Sequence, residues 1–428
     1  RAGRDAAEHN VYFSNDERAV VVSNVPVSIV TEAIDGPLSL DLGETYYWKV
    51  NEVNMAETPP MLEGEIWNFT TRNFLVVDDF ESYNDISVEE EDSNPVYLAW
   101  ADGFDNPSVN GSTIGYVEPF QPSMEFRLVH NGSQSVPFMY DNNLKYSEAV
   151  LSLSPPQDWT EHSVKVLSLY FHGDPNNAVE QMYVKVNDSK SVYDGDPTEI
   201  KPTDIKHIER GLWKQWNIDL ASLGVDLQSV TKLAIGFGDE TNPTAGGSGV
   251  VYFDDIRLYP STPEPPEEIW LEAESAGTIG TSWRIYDDPA SSGGQHIGSE
   301  DGDGDDNSTP PGIEWIAAYN FTVAGGTYKV LFRAQQANSD SFWVRIPSAT
   351  SQNLEDQDLP GTGWIRFDAI DVPRGEWGWD EVYSELSHGM QVFEVMNWTL
   401  PAGEHTLEIA KREDGVLLDA IVITNDIN

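Results

Sequence analysis

The chain has 428 residues, enough for about three ordinary domains, and 72 Asp and Glu against 24 Lys and Arg leave a net charge of −48. A field of that sign repels nucleic acid and anionic lipid and attracts cations, so an acidic polysaccharide would bind only through bridging calcium. With no cysteine there is no thiol catalysis, no thiolate metal site and no disulfide, and no apolar run is long enough to cross a bilayer. The 34 Gly and 26 Pro punctuate the chain at short intervals, strand formers dominate, and 14 Trp, 17 Tyr and 16 Phe suffice for several cores, so an all-β chain of tandem β-sandwiches is expected. No signal peptide is read. The chain begins at Arg1-Ala-Gly, and the reading expects a leader to have been removed with whatever preceded it.

In residues 1–73 strands are predicted at Asn10–Ser14, Ala19–Ser23, Thr45–Val53 and Glu65–Thr71, separated by turn signals at Asp35-Gly-Pro and Thr58-Pro-Pro. Tyr46, Trp48 and Val50 alternate clearly. The run Thr45-Tyr-Tyr-Trp-Lys-Val50 and the closing Ile66-Trp-Asn-Phe-Thr-Thr71 resemble strands F and G of a fibronectin type III domain. Ala7–Ser14 is similar to strand C, with nothing before it to serve as strands A and B. Tyr12, Tyr46, Trp48, Val50 and Trp67 are then expected to lose much of one covering sheet. An upstream segment, a strand from another subunit, or the following domain would have to cover them, and donation between subunits would make a head-to-tail polymer. Truncation of the chain is the plainer explanation.

Residues 74–260 read as a jelly roll, with strands at Phe74–Phe80, Leu144–Leu153, Val164–Phe171, Gln181–Val186, Lys214–Leu220, Lys232–Phe237 and Val250–Leu258. Its first strand, Val76-Val-Asp-Asp-Phe-Glu-Ser-Tyr83, carries Asp78, Asp79 and Glu81 in an apolar run. Its last, Val250–Tyr259, carries Asp254 and Asp255. Strand interiors disfavour Asp, and first and last strands of sandwiches often pair, so converging carboxylates call for protonation or a hard cation such as calcium. Scattered acids on solvated strand edges are the alternative. The segment resembles a module of large exported bacterial proteins through Val77–Tyr83, Asn110-Gly-Ser-Thr-Ile-Gly-Tyr116, Pro137-Phe-Met-Tyr-Asp-Asn142 and Tyr252–Pro260. That resemblance implies an architecture like jelly-roll carbohydrate-binding modules, with a structural calcium at the acids of both ends.

Ser261-Thr-Pro-Glu-Pro-Pro-Glu-Glu268 reads as an extended, semi-rigid acidic linker separating two sandwiches. Residues 269–428 then repeat the acidic first and last strands in Leu271-Glu-Ala-Glu274 and Leu417-Leu-Asp-Ala-Ile-Val-Ile-Thr424. With Ser292-Gly-Gly-Gln-His-Ile-Gly298, Asp340–Ile346 and Leu400–Leu407 running into Arg412-Glu-Asp-Gly415, the segment resembles carbohydrate-binding modules of families 6 and 35. The resemblance implies that Glu272, Glu274 and Asp419 are structural calcium ligands, with backbone carbonyls completing the shell.

Sugar recognition needs flat aromatic faces and fixed polar groups, for which Trp343, Trp377, Trp379 and Trp398 are candidates. The resemblance puts the platform at Trp343 and Trp398, with Arg412, Glu413 and Asp414 on a nearby loop. Core packing of Trp343, which alternates with Phe342 and Val344, competes with that role, and Trp377-Gly-Trp379 could instead fold a long loop. Trp100, Tyr116, Tyr140, Trp159, Trp213 and Trp216 offer a second surface in the middle domain or, for most of them, core. The loop Asp301-Gly-Asp-Gly-Asp-Asp-Asn307 has acids at alternate positions but neither the glycine nor the final carboxylate of an EF-hand. No HExxH, GxSxG or distinctive carboxylate pair marks an enzyme. The sequons at Asn68, Asn110, Asn131, Asn187, Asn307, Asn320 and Asn397 matter only in a host that glycosylates them.

The sequence is therefore read as an exported, calcium-stabilised, non-catalytic glycan-binding or adhesion protein of the bacterial cell surface. Two alternatives stay open: a subunit of a surface layer or filament that self-associates, and the accessory part of a larger polysaccharide-degrading enzyme.

Overall fold

The computed structural model describes residues 6–31, 38–117, 122–193, 207–209, 211–299, 311–336, 341–356, 359–367, 372, 374–385 and 393–427. It is nearly all β, built of antiparallel sheets. The loop Asp301–Asn307 lies outside the described residues.

The first sheet runs Val27–Val30, Glu8–Ser14, Thr45–Val53, with Met61–Leu62 and Trp67–Thr70 both pairing the long third strand. Where a strand was expected over Ala19–Ser23, Glu17–Val21 is a helix: Asp16 Oδ1 accepts from the backbone N–H of Arg18 at 3.0 Å and of Ala19 at 3.3 Å, an N-cap that outweighs three consecutive valines. The helix buries Val20 completely and places the Val21 carbonyl 3.2 Å from Lys49 Nζ, so it covers one face of the sheet. Register also corrects the expected aromatic face. Tyr12 pairs with Lys49 and lies under its ammonium, whereas Phe13, opposite Trp48, joins Tyr46 and Phe69 in a stacked trio. Trp48 and Trp67 stack on the same side at 6.4 Å, and Trp67 is 57% exposed.

The middle sandwich places Ser189–Val192, Met182–Val186, Val230–Phe237, Ser147–Gln157 and Trp100–Ala101 in one sheet. Trp213–Asp219, Val166–His172, Ser248–Tyr259, Val136–Asp141 and Thr113–Ile114 form the other. Leu75–Asp78 pairs Ser248–Tyr259, so the first and last strands do meet, with a break in register between Ile256 and Arg257. Alternate residues of both sheets, among them Phe138, Leu169, Phe171, Ile235, Phe237 and Phe253, fill one core.

In the C-terminal sandwich Leu417–Thr424 is central. Gly326–Gln335, Glu268–Glu272 and Gln295–Gly298 all pair with it, and Arg284–Asp287, Trp398–Leu400, Ser351–Gln352 and Gly378–Glu381 extend that sheet. Ile316–Val323, Gly403–Lys411, Phe342–Arg345, Ile365–Phe367 and Thr278–Ile279 form the facing sheet over a second core. The proline-rich join does not hold the two sandwiches apart. Leu212 packs with Leu331, Val422, Trp270 and Trp379, and His130 Nε2 lies 3.2 Å from Asp426 Oδ1.

Candidate functional site

In the middle sandwich every carboxylate of the paired acidic strands has found a protein donor. Asp78 accepts from Tyr83 Oη at 2.6 Å, Trp100 Nε1 at 2.9 Å and the Phe80 N–H at 2.9 Å. Burial still pushes it above the ordinary carboxylate range. Asp79, half-buried, accepts a long bond from the Glu81 N–H at 3.4 Å. Glu81 is exposed and captures a loop through the Ser133 N–H and hydroxyl and the Gln134 N–H. Asp254, fully buried, accepts from the N–H groups of His130, Asn131 and Asp255, and burial together with the Asp255 charge pushes it up to about 7. Asp255, at a left-handed φ of 51°, is held between Arg257 and His130 Nδ1, the latter at 2.6 Å. The first and last strands pair as expected, but their acids turn to separate partners: Asp78 to Tyr83 and Trp100, Glu81 to the Ser133 loop, and Asp254 and Asp255 to the His130 loop and Arg257.

The C-terminal sandwich treats its acids differently. Glu272 ends a strand whose Cα partner is Ala420, next to Asp419, and the tight turn Ala273–Ser275 that follows carries Glu274 to the same corner. The turn Ser292–Gly294 lies over it: Ser292 Oγ donates to Glu272 Oε1 at 3.0 Å, and a Cβ on Gly293 (φ +62°) would sit 3.3 Å from Glu274 Oε1. Asp419 is fully buried. Its Oδ2 pairs with Arg333 Nη1, but its Oδ1 and the Oε2 of Glu274 are buried without a hydrogen bond. Burial pushes Asp419 up to about 6 against the pull of the Arg333 guanidinium, and burial likewise raises Glu274, helped by the charges of Glu272 and Asp419. The three carboxylates share a corner without meeting at one point: among the described residues no three His, Asp or Glu are gathered to metal-binding distance. Two orphaned acceptors in an acidic corner are the kind of group a hard cation with oxygen ligands satisfies, but the carboxylates as placed are not gathered around one point.

The four candidate tryptophans divide by burial. Trp398 is 0% exposed and belongs to the main core, and Trp343 is 3% exposed in a satellite core with Leu359, Trp364 and Ala410. A ring without an open face cannot stack on a sugar, so the expected platform at these two positions is corrected. Trp379 packs edge-on to Trp270 at 5.5 Å in the contact between the sandwiches. Trp377 keeps part of its surface open. Its Nε1 lies 3.4 Å from Asp288 Oδ2, the Arg333 guanidinium lies over its ring at 5.5 Å, and His296, itself stacked on Tyr286, meets it edge-on at 5.2 Å. Elsewhere, Arg412, Glu413 and Ser341 bind one another: Arg412 donates to Ser341 Oγ and pairs Glu413 at 2.8 Å, while Ser341 Oγ donates to Glu413 at 2.5 Å. Asp414 is half-buried beside them.

No protein-family model matches the chain, and no curated protein does. It is similar to solved structures of low identity. An exo-β-1,3-galactanase from Phanerochaete chrysosporium is 13% identical, with 94% of this chain and 87% of that one covered and a TM-score of 0.28. The N-terminal CBM22-1-CBM22-2 tandem domain of Xyn10C from Paenibacillus barcinonensis is 10% identical, covering 76% and 93%, with a TM-score of 0.22. An isomalto-dextranase from Arthrobacter globiformis T6 is 13% identical over 68% of this chain, with a TM-score of 0.25, and the chain spans 36% of its length. At these scores only the chain's own residues bear on what it does.

Among the middle-domain aromatics, Trp100, Tyr140, Trp159 and Trp216 are core, Tyr116 donates to Glu125 Oε2 at 2.6 Å, and Trp213 stands half-buried, edge-on to His130 and His172. The sequence reading missed Arg333, Asp288, Tyr286, His296 and His130. Arg333 had a local signal, since a lone cation inside Val330-Leu-Phe-Arg-Ala334 needs a buried partner.

Proposed function

We propose that the chain is a non-catalytic, exported glycan-binding protein whose C-terminal sandwich holds calcium between Glu272, Glu274 and Asp419 and a sugar on the neighbouring Trp377 edge. The observation that carries the glycan reading is Trp377. It is a partly open indole at the rim of a sheet, met by a carboxylate, an imidazole and a guanidinium, the mixture of flat ring and fixed polar groups that a pyranose requires. Bound calcium would neutralise the corner and fix the turn Ser292–Gly294, which lies close beside that edge. Affinity electrophoresis of the full chain in gels containing different polysaccharides tests this: one or more should retard the wild type and not Trp377→Ala, and no retardation across neutral and acidic glycans would defeat the reading.

A subunit of a surface layer or filament is a second reading, favoured by the aromatic face of the first sheet with Trp67 57% exposed. Light scattering over a concentration series distinguishes it, since growing assemblies that vanish in Trp67→Ser favour self-association.

A further inference from the structure

The sheet of the first unit has two unlike faces. Successive side chains of Thr45–Val53 alternate, so Lys49 lies on the face that Glu17–Val21 covers, and Tyr46, Trp48 and Val50 lie on the other. On that other face Phe13, Trp48 and Trp67 stand opposite one another across three strands, and Tyr46 stands opposite Phe69. The backbone at Asp41 closes over Tyr46, donating its N–H to the hydroxyl at 2.8 Å. Trp67 and Phe69 stay open, 57% and 39% exposed. Their strand, Trp67–Thr70, is exposed at every residue and among the described residues pairs only with Thr45–Trp48, so alternate N–H and C=O groups point outward from its other edge. The charge around this edge has one sign. Asp41, Glu44, Glu63 and Glu65 are exposed in the segments leading into the two strands. The described cations of the unit lie elsewhere: Lys49 donates to the Val21 carbonyl on the covered face, Arg72 lies over Phe74, and Arg18 is on the helix.

We propose that this edge docks an extended, basic polypeptide segment of another protein, which adds as a strand beside Trp67–Thr70 and lays its Lys or Arg side chains over Trp67 and Phe69. The outward backbone groups supply affinity for an added strand, and the side chains on the aromatic face select its sequence. A cation over an indole is attracted by the ring's quadrupole, and the apolar stems of Lys and Arg cover the rings. Glu44, Glu63 and Glu65 add a field of the matching sign. A second copy of this chain is the poorer occupant, because each copy carries −48 and two such faces would present the same acids to each other. A neutral glycan would use the rings alone and leave the edge and the acids without a role. The docking is independent of the glycan reading, which lies on the C-terminal sandwich, and it competes with self-association for the same face.

The test uses the full chain and a short fluorescein-labelled peptide of alternating Lys and Val with blocked ends, titrated by anisotropy. The peptide should bind wild type, and Trp67→Ser, a change at an exposed ring, should weaken it roughly tenfold. Phe69→Ser serves if that variant folds poorly. The net charge of the chain attracts a cationic peptide anywhere on its surface, equally in wild type and variant, so only the difference between them reports the site. N-methylation of one alternate set of peptide residues should abolish that difference and methylation of the other set should leave it, because an added strand uses every second N–H. Equal affinity in wild type and Trp67→Ser, indifference to methylation of either set, or equally tight binding of a peptide with Ser in place of Lys overturns the proposal. Light scattering in which wild type assembles and Trp67→Ser does not overturns it in favour of a second copy. Polysaccharide retardation lost in Trp67→Ser and kept in Trp377→Ala overturns it in favour of a glycan.

Discussion

Tryptophan illustrates how far one residue's role depends on where its ring ends up. Trp398 is enclosed in the C-terminal core, so Trp398→Ala should cost about 3–5 kcal/mol and lower the melting temperature sharply. Trp377→Ala removes a half-buried ring at the rim and should leave melting within about 1 kcal/mol of wild type while abolishing glycan retention. Scanning calorimetry beside affinity electrophoresis checks both, and a Trp377→Ala variant that unfolds while Trp398→Ala does not would reverse the assignment. Gly293 makes a second residue-scale prediction. At φ +62°, with its absent Cβ 3.3 Å from Glu274 Oε1, it should tolerate Val poorly. Gly293→Val should lose about 1–3 kcal/mol and weaken calcium binding measured by titration calorimetry. Glu272 and Asp419 were legible in the sequence because an acid inside a strand is anomalous wherever it occurs, whereas Glu274 lies in the tight turn that follows its expected strand. The platform was not legible, because alternation assigns a tryptophan to a face of a strand and only the packed structure says whether that face is covered.

Elements were legible where pattern and tertiary context agree, as in Thr45–Val53 and Leu417–Thr424, both found as strands. Ala19–Ser23, expected as a strand, overlaps the helix Glu17–Val21, whose Asp16 cap outweighs its valines. Asp16→Ala should therefore destabilise the first sheet by about 1 kcal/mol. The loop bearing His130 was invisible to any local pattern, since its partners lie more than a hundred residues away on Ser248–Tyr259 and past Leu417–Thr424. Both of its ring nitrogens face carboxylates, Asp255 and Asp426, an arrangement that favours the doubly donating imidazolium. Burial opposes that charge, but the hydrogen bonds to Asp255 and Asp426 outweigh it and raise His130 above its ordinary 6.5. Asp254 receives its backbone N–H, Arg257 shares Asp255, and Tyr170 stacks on the ring. A raised folded-state value means the stability is fully present below about pH 6.5 and is lost as pH rises through the folded value. Thermal unfolding between pH 6 and 9 should show that decline in wild type and a flatter profile in His130→Gln; identical profiles would refute the imidazolium.

At the scale of the whole molecule, tandem sandwiches follow from composition and from acidic first and last strands, whereas the contact between the two sandwiches does not. Leu212, Trp270, Trp379, Leu331 and Val422 are each unremarkable in their own segments, and only juxtaposition makes them one apolar patch. The same contact sets Trp379 edge-on against Trp270, while Trp377, two residues away, meets His296 and Arg333 instead. The central claim is that the corner of Glu272, Glu274 and Asp419 is a calcium site, and thermal unfolding of the full chain in calcium and in excess chelator tests it most directly. Calcium at about a hundred times its dissociation constant should add about 2.7 kcal/mol to the unfolding free energy of the C-terminal sandwich, and Asp419→Asn should erase the difference. A melting profile that is the same with calcium and with chelator would contradict it.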